Sequence, residues 1–92
     1  MIIIPKIHRN SSRPGRVMFQ EYRDAAEALD KAIDPLLKTA PDARDHYVDP
    51  NDTAIEIART QHRSRCERLQ MVLDELRAIY NELAKSQGQP GW

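Results

Sequence analysis

Apolar residues recur at steps of three and four along the second half of the chain: Ile55, Ala58, Cys66, Leu69, Val72, Leu76, Ile79 and Leu83. Sustained this far, the spacing makes one long amphipathic helix the expected element. The stripe has a polar break, because His62 and Arg65 fall where the heptad pattern calls for core residues. A helix starting near Asp49-Pro50-Asn51-Asp52, with an Asx cap and an early proline, and stopping at Gly88 would run about 33 to 36 residues, or about 50 Å.

A second stripe, from Val17 to Leu37, holds Met18, Phe19, Tyr22, Ala25, Ala26, Leu29, Ala32, Ile33, Leu36 and Leu37 at helical steps. Pro14-Gly15 reads as the turn before it, and Pro35 predicts either a kink or a stop with Asp34 capping a short second piece. The connection from Pro41 to Val48 is read as short, so the fold class is all-α, an antiparallel helical hairpin of short helix 1 and long helix 2. With the ends flush, His62 and Arg65 face Ala25, Ala26 and Ala28. Leu76, Ile79, Tyr80 and Leu83 then lack an opposing turn, so the Ile2 to Ile7 arm or another subunit must cover them. These four residues are the expected oligomer interface, since a two-helix unit usually self-associates into a bundle.

The domain organisation follows. Residues 1–16 form a basic extended arm with Lys6, Arg9, Arg13, Arg16 and no acid; residues 17–86 form the hairpin domain; and 87–92, with Gly88, Pro90 and Gly91, read as a disordered tail. A chain of 92 residues buries only about 60 to 65% of the surface its unfolded form exposes, which again favours a partner. Fourteen basic and fourteen acidic residues give a net charge of zero. That balance argues against nucleic acid or an anionic membrane as the main partner. The single cysteine excludes an intramolecular disulfide and fits a reducing, cytoplasmic setting. Ile2-Ile3-Ile4, stopped by Pro5, is too short for a signal core or a membrane span.

Arg65 and His62 admit two readings. In one, Arg65 is a buried guanidinium paired with Asp24 or Glu21 on helix 1. In the other, the two residues floor a pocket for a small anionic nucleotide, joined by Arg44 and Tyr47 from the loop. Arg59, Arg63 and Arg68 surround this point and complete the candidate ligand- or partner-binding set, with Glu56 and Glu67 as helical neighbours to pair with. No aromatic stacking platform accompanies them, so nucleic-acid binding is a minority reading. A nucleophile elbow, a glycine-rich phosphate loop and paired metal-spaced histidines are all missing from the sequence, so no catalytic residue, metal or cofactor is assigned.

Arg44-Asp45-His46-Tyr47, then Gln61-His62-Arg63-Ser64-Arg65, then Leu69-Gln70-Met71-Val72-Leu73-Asp74-Glu75-Leu76 form a layout similar to that of small helical proteins of proteobacterial prophages and mobile elements. The resemblance covers about residues 42 to 84 and departs from the group at Asp49-Pro50-Asn51, where glycine is expected. The group is functionally uncharacterised, so the resemblance implies a phage or mobile-element setting and no chemistry. The expected function is non-enzymatic occlusion of a host protein, as a counter-defence inhibitor in that setting, because a surface of zero net charge with an acidic first helix and an Arg-rich patch on the second suits binding by complementary charge. Ala54-Ile55-Glu56-Ile57-Ala58-Arg59-Thr60 resembles phage-encoded helical sponges that sequester cyclic oligonucleotide signals, and this implies the nucleotide-binding alternative. A virion structural or assembly role is the third class.

Overall fold

The computed structural model describes residues 1–8, 13–42 and 53–92, and those residues form two helices and no strand. α1 spans Gly15–Leu37 and α2 spans Thr53–Ala84; they pack side by side as a hairpin. The molecule is rod-like, 64 Å long and 23 by 19 Å across. No helix among the described residues is long and apolar enough to cross a membrane.

α1 begins two residues before the apolar stripe because its first amides find partners outside the helix. Pro14 makes no side-chain cap; instead Gly15 N–H donates to the Gly91 carbonyl at 2.7 Å and Arg16 N–H to the Trp92 carbonyl at 2.8 Å. These bonds satisfy donors that every helix leaves open at its start. At the other end, neither expected effect of Pro35 ends the helix there. Pro35 lies in the last turn, where little helix remains to be disturbed, and α1 continues to Leu37. Tightened bonds from Lys38 and Thr39 N–H to Pro35 and Leu36 carbonyls then close it, with the Thr39 hydroxyl also donating to Leu36.

The seam of α2 follows strict alternation of four and three from His62: Cys66, Leu69, Leu73, Leu76, Tyr80, Leu83. The expected stripe placed Val72 in the core. The step from Leu69 is four rather than three, so Leu73 is 1% exposed and Val72 is 44% exposed.

The register also differs from the expected one. Phe19 meets Tyr80 edge-on at 5.8 Å, Asp30 pairs with Arg77 at 3.6 Å, Tyr22 and Ala25 share a hollow with Leu76, and Leu36 shares one with Leu69. Helix 1 thus lies along the C-terminal two-thirds of α2, roughly ten residues or 15 Å from flush. Fifteen residues separate Leu37 from Thr53, enough chain to permit this stagger. The unopposed stretch is therefore the start of α2, not the end, and Ala25 and Ala26 do not face His62 and Arg65.

Main packing lies where both chain ends converge. Met18, Ile79 and Leu83 form a buried cluster, and Ile2, Ile4, Ile7, Phe19, Tyr22 and Trp92 pack against it. The tail expected to be disordered is part of this joint: Trp92 stacks at a tilt 5.9 Å from Phe19, after turns at Gly88 and Gly91 in the left-handed region. A single aromatic anchor outweighs the glycine- and proline-rich composition. Of the expected oligomer interface, Ile79 and Leu83 are accordingly buried within one chain beneath its own arm and tail, while Leu76 and Tyr80 are half-buried beside Tyr22 and Phe19 of α1.

Candidate functional site

Four arginines stand within the N-terminal half of α2. Arg59 and Arg63 are one helical step of four apart on one flank; Arg65 and Arg68, a step of three apart, lie on the other. All four are exposed, and none is ion-paired among the described residues. Only Arg68 has an internal bond, from Nε to the Ser64 carbonyl at 3.3 Å. The helical neighbours Glu56 and Glu67, expected to neutralise this run, do not pair with it.

Arg65 is not the buried guanidinium of the first reading. A residue three before the Arg68 position and four before Leu69 points to the rim of the seam, and Arg65 is exposed there. Its expected partners are engaged elsewhere, Glu21 with Arg13 and Asp24 with the Gln20 amide at 2.7 Å. Replacing Arg65 with Ala is accordingly expected to change unfolding free energy by no more than about 0.5 kcal/mol in urea denaturation. A loss of several kcal/mol would reveal a buried pair after all.

His62 turns the other way, into the seam. Its Nε2 lies 3.6 Å from the Cys66 sulfur, and its Nδ1 is buried without a hydrogen-bond partner. The two residues that broke the sequence pattern thus differ in setting: His62 is half-buried on the seam face of α2, Arg65 is exposed at its rim, and none of the hollows lined by described residues holds both. Arg44 and Tyr47 lie outside the described residues.

What Arg65 does share is the wall between two hollows. One, open and about 500 Å³, is lined by Thr60, Gln61, Ser64, Arg65 and Arg68; the other, about 230 Å³, by Leu36, Arg65, Arg68 and Leu69. The second marks the step where α1 ends and α2 runs on. Last-turn carbonyls of α1 carry partial negative charge, so an arginine beside Leu36 is favourably placed even without a ligand. Guanidinium groups in this setting, with two hydroxyls beside them, can fork onto carboxylate or phosphate oxygens. Thr60, Gln61, Ser64 and the Leu36–Leu69 contact did not stand out in the sequence; counting the seam in strict fours and threes from His62 would have shown that Arg65 lies beside it.

Among the described residues no group of His, Cys, Asp and Glu is arranged to hold a metal ion. Comparison with family models, curated proteins and solved structures finds no match for this chain.

Proposed function

We propose that the chain is a non-enzymatic binding protein that occludes an acidic surface of a host protein through Arg59, Arg63 and Arg65. The observation that carries this reading is the run of exposed arginines without carboxylate partners among the described residues, in a chain whose net charge is zero. Solvated guanidiniums at an interface rim steer encounter with an oppositely charged surface and set its salt dependence. A phage counter-defence role in the host cytoplasm extends this proposal on the strength of the resemblance to prophage proteins.

Capture from host extract by wild-type protein and by the triple variant Arg59→Glu, Arg63→Glu, Arg65→Glu tests it. The wild type is expected to retain one dominant acidic protein, with retention falling as salt is raised, and the variant to lose it at unchanged helicity. Equal capture by both removes the arginines from the interface. The hollow beside Thr60 and Ser64 supports a second reading, sequestration of a small anionic nucleotide. Under that reading a cyclic oligonucleotide at 100 times its dissociation constant stabilises the fold by about 2.7 kcal/mol, and no host protein is retained.

A further inference from the structure

On α2, two adjacent large apolar side chains stand in the open: Met71 is 61% and Val72 44% exposed. Each sits at a helical step from the same two charges. Arg68 is three before Met71 and four before Val72; Glu75 is four after Met71 and three after Val72. The four side chains therefore form a diamond on one surface, apolar across its waist, basic at one tip and acidic at the other. Arg68 spends one N–H on the Ser64 carbonyl, and among the described residues neither it nor Glu75 forms an ion pair.

We infer that this diamond is the interface with a second copy of the chain, the two α2 helices lying antiparallel about a two-fold axis between Met71 and Val72. The pattern is complementary to itself in that orientation alone. Antiparallel pairing brings Arg68 onto the partner's Glu75 and Glu75 onto the partner's Arg68, with Met71 and Val72 of both chains enclosed between the two ion pairs. Parallel pairing sets arginine on arginine and glutamate on glutamate, which repel. An isologous surface of this kind closes at two and does not propagate.

Charge complementarity supports a second copy as the occupant. Helices paired about this axis overlap for roughly seven turns. The interface is distinct from the one the sequence suggested: Ile79 and Leu83 stay in the core of each chain, the two α2 helices form the centre, and each α1 lies outside its own α2. Arg59, Arg63 and Arg65 fall outside the diamond, so the dimer and the proposed acidic partner use different arginines.

Sedimentation equilibrium over a wide concentration range, on the full chain, tests the inference. Wild type is expected at twice the 10.6 kDa of one chain. Arg68→Glu and Glu75→Arg, each placing like charges together, are expected to weaken association at least tenfold and yield 10.6 kDa at concentrations where wild type is paired. Combining them recreates both ion pairs with the signs exchanged and should restore the dimer. Met71→Glu provides an independent disruption, and circular dichroism should show all variants equally helical, since these positions are exposed. A wild type that stays monomeric throughout overturns the inference. So does a dimer indifferent to Arg68→Glu, or a double variant no better than either single one.

Discussion

Replacing Leu83 with Ala is expected to lower the free energy of unfolding by about 3 to 4 kcal/mol, read as a fall in the urea midpoint by far-ultraviolet circular dichroism. Leu83 is 1% exposed and, with Leu73, is among the most completely enclosed large side chains of the described residues. Its methyls sit in the cluster with Met18 and Ile79, which Ile2, Ile4, Ile7 and Trp92 cover. Removing them costs their transfer free energy and leaves a void that residues from four separate segments would have to close together. A small domain holds only about 5 to 15 kcal/mol in all, so this one change consumes a large share of it. An interface role for Leu83 makes the opposite prediction: the isolated chain would keep its stability and lose only mass in solution. A midpoint unchanged by the substitution would therefore restore the interface assignment.

The second large effect is expected at Gly91, where the backbone has φ +94° and an added Cβ would come within 2.7 Å of both the carbonyl carbon and the oxygen of His8. Backbone cannot yield as a flexible side chain does, and a non-glycine residue in this region carries a strain of about 1 to 3 kcal/mol of its own. In Gly91→Ala the tail must leave, taking with it the acceptors for Gly15 and Arg16 N–H and the Trp92 ring from Phe19. A loss of roughly 2 to 3 kcal/mol follows. Because Trp92 is the one tryptophan in the chain, its emission should shift to the red as it enters water. Gly88 supplies the control: φ is +87°, yet nothing lies within 4 Å of the added carbon, so Gly88→Ala bears strain without displacement. Its emission should match the wild type. Identical spectra for Gly91→Ala and wild type would show that the clasp at His8 is loose.

Helix positions were readable from the sequence because each is written in local spacing. Val17 through Leu37 anticipates α1 to within two residues, and Ile55 through Leu83 anticipates nearly all of α2. How the helices align was not local information. It rests on pairings such as Phe19 with Tyr80 and Asp30 with Arg77, to which no periodicity points, and fifteen intervening residues permit many alignments. The misplacement of Arg65 followed from a single step: taking Val72 instead of Leu73 into the seam rotates the apparent core face toward Arg65 and away from where the leucine side chain lies. Composition misled at the tail for a related reason. Gly88, Pro90 and Gly91 signal turns, and turns signal disorder only when nothing beyond them has a place to bind; Trp92 does. Of the candidate binding residues, Arg59, Arg63 and Arg68 were placed on the outer faces of α2 by spacing alone, whereas the division of His62 from Arg65 required the actual seam.

The joint also fixes an order of events during synthesis, because it ties segments made early to segments made late. Ile2, Ile4 and Ile7 are synthesised well before Ile79, Leu83 and Trp92, the side chains that cover them. α1 can wind while the isoleucines are still wetted, and the joint closes only after residue 92 has been added.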